Sequence, residues 1–262
     1  MKKLSKERYR EVFHMLGDVS VNNVFAYSVL EGVQEGEVYV NNSQDIKSLI
    51  VQHMCGYSIF SGDINEPVID ELKDMLEKGI ETSNGTIYLH VKDKKLLERM
   101  EELCQENTSI RKGKKISYRF NRSDFISKDE ILGTDVKVKK MEEKELRGLE
   151  GYIVPKFSWS NTTSFLEQGV GFCVVVEGKV VSIAFSWFIG NGKVEIGVNT
   201  LPAFRKKGLA RIVSQQMISY CIEHGLEPVW SCVKENISSQ RLALSLGFEP
   251  EGEIYYYYVL RR

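Results

Sequence analysis

Three β-rich runs joined by two tight turns constrain the fold of this chain more than any other feature. The runs cover residues 171–176, 180–188 and 194–200. Glu177-Gly178-Lys179 separates the first two runs, and Gly190-Asn191-Gly192 separates the last two. Because Glu-Gly and Asn-Gly pairs between β-rich runs are typical of hairpins, we expect three neighbouring antiparallel strands.

A long amphipathic helix is predicted directly after the third strand, over residues 205–224. Leu209, Val213 and Met217 recur at helical spacing and form one apolar stripe. The helix opens with Arg205-Lys206-Lys207-Gly208-Leu209-Ala210. Cations at a helix start oppose the helix dipole unless an anion is bound there. The free amides of a helix start bind phosphate, and the small residues let it approach, so residues 206–210 are predicted to cradle a pyrophosphate. The alternative is a helix that merely starts with solvated cations.

The composition excludes several classes of protein. The chain has 262 residues and a formal net charge of -1, which does not favour a polyanion-binding protein. No apolar stretch approaches the roughly 18 residues of a membrane span, and the start, MKKLSKERYREVF, lacks the apolar run of a signal peptide. The 5 cysteines contain no C-x-x-C pair and the 4 histidines are not spaced as ligands, so we predict neither a metal site nor a disulfide framework. We expect a cytoplasmic protein that binds neither nucleic acid nor a membrane.

Two α/β domains are predicted, residues 1–133 and 134–262. The polar stretch 124–136 separates two regions with different patterns. In the first region, strand and helix patterns alternate without a motif that carries chemistry. Its basic clusters at 92–95 and 111–115 are interpreted as solvated faces.

The second region resembles the GCN5-related N-acetyltransferase (GNAT) superfamily. The superfamily's acyl-CoA signature, R/Q-x-x-G-x-G/A after the fourth strand, is present as Arg205-x-x-Gly208-x-Ala210. Residues 236–248, NISSQRLALSLGF, are similar to a later motif in which Asn precedes a helix ending in Leu-Gly-Phe. The resemblance implies an α/β (α+β) fold with a mixed, mostly antiparallel sheet whose fourth and fifth strands splay apart. The first region resembles the accessory domain of two-domain bacterial GNAT-like proteins, and its alternating pattern is compatible with a degenerate GNAT-like fold.

The resemblance also implies acetyl-CoA as the cofactor and assigns the residues that hold it. Those residues are Val198, Asn199 and Thr200 through their backbone, Arg205, Lys206, Lys207, Gly208, Leu209 and Ala210 around the pyrophosphate, and Asn236 and Ser239 at the pantetheine arm. The alternative for Asn236 is a helix N-cap with Ser239 at the third helical position, and both roles can coexist.

Glu195 is the predicted general base, because an ammonium has no lone pair and must lose a proton before it attacks. It lies at the start of the fourth strand, where several family members keep a glutamate; the alternative is a solvated strand residue. The backbone N–H of Val198 is the expected oxyanion donor. Many relatives use a Tyr as the acid for the departing thiolate, but Ala243 occupies that position here. Ser239, a tyrosine from the run at 255–258, or water would have to take that role.

The acceptor pocket is implied to lie between residues 152–163 and the final hairpin. Phe157, Trp159 and Tyr257 are predicted to form its aromatic wall, although two tyrosines of the 255–258 run should face the core. Trp187 and Trp230 lie inside strands and are expected to pack in the core.

The predicted function is transfer of an acetyl group from acetyl-CoA to a primary amine of a small molecule or peptide, directly within a ternary complex, in a bacterial cytoplasm. A homodimer is compatible with this function. The alternatives are a non-catalytic acyl-CoA sensor or docking module, which Ala243 favours, and transfer of a longer acyl chain from CoA or a carrier protein.

Overall fold

The computed structural model describes residues 1–17, 23–78, 86–107, 109–125 and 137–259. The strands of these residues are Lys2–Lys3 (β1), Gly36–Val40 (β2), Ser48–His53 (β3), Tyr57–Gly62 (β4), Tyr88–Val91 (β5), Ile110–Phe120 (β6), Lys137–Lys140 (β7), Gly171–Val176 (β8), Lys179–Gly190 (β9), Lys193–Thr200 (β10), Glu227–Val233 (β11) and Phe248–Val259 (β12). The α-helices are Val24–Leu30 (α1), Glu66–Lys78 (α2), Lys94–Glu106 (α3), Glu143–Leu146 (α4), Thr162–Gln168 (α5), Leu209–Glu223 (α6) and Ile237–Ser245 (α7).

Within these ranges the strands form one twelve-stranded sheet in the order β1-β2-β3-β4-β5-β12-β6-β11-β10-β9-β8-β7. The β4–β5 and β10–β11 pairs are parallel, and the other neighbours are antiparallel. The predicted mixed, mostly antiparallel sheet is therefore confirmed.

The two halves of the chain repeat one order of elements. Three antiparallel strands (β2–β4, β8–β10) lead to a helix (α2, α6), a parallel strand (β5, β11), a second helix (α3, α7) and a last strand (β6, β12). The last strands are exchanged, because β6 lies beside β11 of the second half and β12 lies beside β5 of the first. The predicted boundary at 133/134 falls outside the described residues, but the exchange brings side chains of the first half next to β11.

The splay between the fourth and fifth strands of the second half is also confirmed. β10 pairs with β11 only from Lys193 to Glu195, opposite Glu227 to Val229. From Ile196 to Thr200, β10 pairs with β9 alone. A wedge-shaped gap thus opens on the β11 side of β10 directly after Glu195.

The predicted stripe of α6 packs against this sheet. Leu209, Val213 and Met217 are buried in a core that also contains Val194 and Ile196 of β10. Each such side chain contributes roughly 1.5–3 kcal/mol of burial free energy, so the helix start is held firmly at the mouth of the gap.

Candidate active site

Glu195 lies at the bottom of the gap between β10 and β11. Its side chain is 7% exposed, and Oε1 accepts a 2.6 Å hydrogen bond from the Ser231 hydroxyl of β11. Burial raises the pKa of the Glu195 carboxyl, and the nearby Lys115 charge and the Ser231 hydrogen bond lower it by less. The alternative of a solvated strand glutamate is therefore wrong. A buried carboxylate with a raised pKa is a better base than a solvated one.

Val198, Asn199 and Thr200 occupy the unpaired stretch of β10 above Glu195. The Asn199 amide donates to the carbonyl of Glu150 at 2.9 Å, and the Thr200 hydroxyl lies 2.7 Å from that of Ser182. The first contact ties the strand to the segment after α4 and the second ties it to β9, while its backbone edge towards β11 has no partner among the described strands.

The start of α6 has the backbone geometry of an anion cradle. Lys206 and Gly208 both have positive φ, 62° and 77°, and α6 begins at Leu209 with no acidic residue in its first turn. No backbone hydrogen bond of the described residues uses an amide of residues 206–210 as donor. Arg205 donates from Nε to the carbonyl of Thr200 at 3.1 Å, which ties this turn to the end of β10. The free amides and the lysines fit a pyrophosphate.

The equivalent helix of the first half lacks such a cradle. Asn65 caps the start of α2, accepting from the amide of Val68 at 3.1 Å. Glu66 stands in the first turn of α2 and is held by Arg99 at 2.8 Å. A carboxylate at this position would repel a phosphate, so the start of α2 lacks the anion-binding features found at the start of α6.

Asn236 and Ser239 lie across the gap, at the start of α7. The Asn236 side chain accepts from the amide of Ser239 at 3.1 Å, so the N-cap role is present. Ser239 Oγ accepts from the indole N–H of Trp230 at 3.0 Å. The same hydroxyl also makes a side-chain hydrogen bond to the thiol of Cys232. Ala243, one helical turn further on, is fully buried.

The gap opens into two cavities that share part of their walls. The smaller, about 200 Å³, is lined by Glu195, Val198, Trp230, Asn236 and Ser239, among others. The larger, about 480 Å³, lies on its far side. Both are lined by Tyr57, Lys115, Ile153, Trp187 and Val233. A thioester beside Glu195 and a second ligand in the larger cavity would therefore meet at these shared residues.

The predicted acceptor residues are only partly brought together. Phe157 lines the larger cavity. Trp159 does not, because its ring is 1% exposed in the core and its indole N–H donates to the carbonyl of Ser186 at 2.9 Å. Tyr257 is 0% exposed and packs in the core of the first half. Its neighbour Tyr256 lines the cavity instead, which corrects the choice of Tyr257.

Sequence reasoning missed the contribution of the first half. Tyr57, Tyr88, His90 and Lys115 all face the larger cavity. Lys115 belongs to the 111–115 cluster that was predicted to be solvated, yet it is buried. Its burial follows from the insertion of β6 beside β11, a long-range pairing for which the local sequence holds no signal.

The geometry agrees with comparisons to known proteins. The model of the family described as GNAT acetyltransferase matches residues 14–258. The Bacillus subtilis (strain 168) protein named "Uncharacterized N-acetyltransferase YdfB" is 25% identical over 264 residues, which cover 98% of this chain and 98% of that protein. Since the family match covers most of the chain, the chain belongs to the GNAT acetyltransferase family and is an acetyltransferase.

Solved structures share the fold. A GCN5-related N-acetyltransferase-like protein from Streptococcus suis 89/1591 has a TM-score of 0.74 at 22% identity, covering 97% of this chain and 99% of its own. A tandem GNAT protein from the clavulanic acid biosynthesis pathway has a TM-score of 0.63 at 8% identity, covering 98% of this chain and 97% of its own.

The described residues show neither a metal cluster nor a membrane-spanning helix. They contain no cluster of three or more His, Cys, Asp or Glu side chains that could hold a metal ion. Nor does any described helix have the length and apolar character needed to cross a membrane.

Proposed function

We propose that this enzyme transfers an acetyl group from acetyl-CoA to a primary amine, directly within a ternary complex. The observation that carries the proposal is the buried Glu195–Ser231 pair at the base of the β10–β11 gap, where two cavities meet. Bound acetyl-CoA supplies the acetyl thioester, whose C–S bond breaks as the carbonyl carbon bonds to the amine nitrogen.

The residues at the mouth of the gap would bind and orient the cofactor. The amides of residues 206–210 and the charges of Arg205, Lys206 and Lys207 suit the pyrophosphate. The free edge of Val198, Asn199 and Thr200 offers backbone partners for the pantetheine amides, and the Asn236 amide group, whose oxygen caps α7, retains its N–H donors for the same arm.

The residues at the base of the gap would move the protons. Glu195 accepts a proton from the attacking amine, directly or through one water, and Ser231 keeps the carboxylate oriented. The Val198 N–H is assigned to the carbonyl oxygen that gains negative charge. Ser239, whose oxygen accepts from Trp230, would donate its proton to the departing thiolate by giving up its hydrogen bond to Cys232.

The two halves would have different roles. We propose that residues 1–133 and 134–262 are tandem GNAT-like units of which only the second binds the cofactor. This division is supported by the repeated element order and by Asn65 and Glu66 at the start of α2.

Calorimetry and a thiol-release assay test the proposal. Acetyl-CoA should bind, and free CoA thiol should appear only when an amine from a panel of small amines, amino acids and peptide N-termini is added. Binding without thiol release for any amine would support a sensor or docking module, and the absence of binding would overturn the proposal. The mass of the cofactor retained on purification distinguishes acetyl from a longer acyl chain.

A further inference from the structure

The first half places a buried cation where the two cavities meet. Lys115 lies on β6, directly opposite Val233 of β11. The residue is 9% exposed and lines both cavities. Glu195, by contrast, lines only the smaller cavity of the two. The ammonium therefore stands between the candidate base and the larger cavity.

This cation has an incomplete set of partners. Lys115 Nζ donates to the phenol oxygen of Tyr57 at 2.7 Å and lies 4.1 Å from the centroid of the same ring. Among the described residues, no carboxylate comes within ion-pair distance of Nζ. An ammonium has three donors, and burial lowers the pKa of Lys115 by more than the opposite charge of Glu195 raises it, so a further close anion would stabilise the charged form. The site is thus suited to an anionic oxygen from a ligand.

Tyr57 offers a second donor at the same point. Its oxygen accepts from Lys115, so its own O–H is directed elsewhere. Both residues line both cavities. An ammonium and a phenol side by side match the two oxygens of a carboxylate.

The larger cavity has the character of an apolar side-chain pocket. Its walls include the rings of Tyr57, Tyr88, Tyr152, Phe157, Trp187 and Tyr256. The described residues that line it include no Asp or Glu, and burial holds the pKa of His90 well below its ordinary value, which keeps that ring neutral. Lys115 already lies on the face of Tyr57 and 6.0 Å from the ring of Tyr256. A second cation would therefore be repelled, which disfavours polyamines and other multiply charged amines.

We propose that the acceptor is an α-amino acid with a large apolar or aromatic side chain, whose carboxylate binds Lys115 and Tyr57. The side chain would fill the larger cavity, and the α-amine would face Glu195 in the smaller one. An α-amino acid fits because its amine and carboxylate are one carbon apart, and Lys115 borders the cavity that contains Glu195. The inference rests on the proposed amine acetylation and names the substrate class for that site.

Matched acceptors test the inference with the whole protein. L-tryptophan is compared with tryptamine, and L-phenylalanine with phenethylamine and L-phenylalaninamide, which resembles a peptide N-terminus. Initial rates of CoA thiol release give KM, and calorimetry gives the affinity of each amine with and without acetyl-CoA. A charge-assisted contact that is lost should raise KM and Kd by about 10- to 100-fold for the compounds without a carboxylate.

Three variants show which residue causes the preference for a carboxylate. Lys115→Met should abolish the preference for the carboxylate while leaving acetyl-CoA affinity unchanged. Tyr57→Phe keeps the ring and should weaken the preference less. Lys112→Met is the matched control, because Lys112 lies on the same strand but is exposed and paired with Glu101. Melting temperatures check that each variant is folded, and if Lys115→Met does not fold, the Tyr57→Phe result decides.

The outcomes are distinct. The inference is supported if the amino acids bind more tightly and have a lower KM than the compounds without a carboxylate, and if this preference is lost in Lys115→Met or reduced in Tyr57→Phe. Equal or better binding of the decarboxylated amines or the amide overturns the inference. If thiol is still released with those compounds, the proposed function stands. Failure of every tested compound to bind also overturns the inference. Failure to bind acetyl-CoA overturns the proposed function, whereas binding measured without cofactor still decides the carboxylate question.

Discussion

Removing the Ser231 hydroxyl should move the pH dependence of the enzyme in a defined direction. The hydroxyl donates a 2.6 Å hydrogen bond to Glu195, and this bond favours the ionised carboxylate. Its loss in Ser231→Ala should therefore raise the pKa of Glu195 further. A hydrogen bond to a charged group is worth about 1.5–3 kcal/mol, which corresponds to a rise of roughly 1–2 pKa units.

The assay is the pH profile of kcat/KM, which reports ionisations of the free enzyme and free substrate. The acidic limb should shift to higher pH by roughly 1–2 units in Ser231→Ala. Deprotonation of the acceptor amine shapes the same limb, but it is identical in both enzymes, so the difference isolates Glu195. Lys115, Tyr57 and Cys55 are the other titratable groups that interact with this carboxyl, and all three are unchanged.

Ser117→Ala provides the matched control. Ser117 is the cross-strand partner of Ser231 on β6, is buried, and donates to the carbonyl of Gly252 at 3.1 Å. This variant should keep the wild-type profile. An acidic limb that stays in place in Ser231→Ala, or that moves equally in Ser117→Ala, would refute the assignment of Glu195 as the base.

Further predictions concern the cofactor site, the helix cap and the core. Gly208 has a positive φ of 77°, which alanine adopts only with strain, so Gly208→Ala should weaken acetyl-CoA binding measured by calorimetry. Gly178→Ala is the control, because Gly178 has a φ of 78° in a remote turn: this variant should lose a similar free energy of unfolding and keep its acetyl-CoA affinity. Asn236→Asp should keep the N-cap of α7 and the melting temperature of the protein but weaken acetyl-CoA binding. Asn236→Ala should weaken acetyl-CoA binding and also lower the free energy of unfolding in urea by about 1 kcal/mol. Trp159→Phe should lower that free energy by about 1–3 kcal/mol, since a buried carbonyl loses its donor, without changing the acceptor KM. Glu195→Gln should not lower the melting temperature at neutral pH. Because the pKa of Glu195 is raised in the folded protein, its carboxyl loses stabilising free energy as pH rises through that pKa. A lower melting temperature in the variant would contradict an unfavourable buried carboxylate.

The second half was predictable because its signals are local. Glycine turns at Gly178 and Asn191-Gly192 determine the hairpins, and the stripe on α6 determines which face packs on the sheet. The anion cradle was visible because small residues and cations stand together at one helix start. The strand of Glu195 followed from the same hairpin register.

The first half was less predictable because its strands are covered on both faces. β3 is buried along its whole length, so it shows no alternation, and it was not predicted. Leu49 and Val51 pack in one core and Ile50 in another. Residues 6–16 form a 3-10 helix.

The acceptor wall was hard to predict for two structural reasons. A bulge between Pro250 and Gly252 shifts the register of β12 against β6, so upstream alternation does not indicate which tyrosines face the core. The exchange of β6 and β12 is a long-range event, and it alone brings Lys115 to the site. Local patterns therefore indicated the site that we propose for the cofactor, but not the part of the first half that lines the proposed acceptor cavity.

The most direct test of the account is thiol release measured together with product mass, for wild type and Glu195→Gln. We expect CoA thiol and N-acetylated amine in equal amounts from wild type. We expect turnover to be lower by about 10²- to 10⁴-fold in Glu195→Gln, with acetyl-CoA affinity unchanged. Equal turnover in the two proteins, or bound acetyl-CoA that is never transferred to any amine, would contradict it.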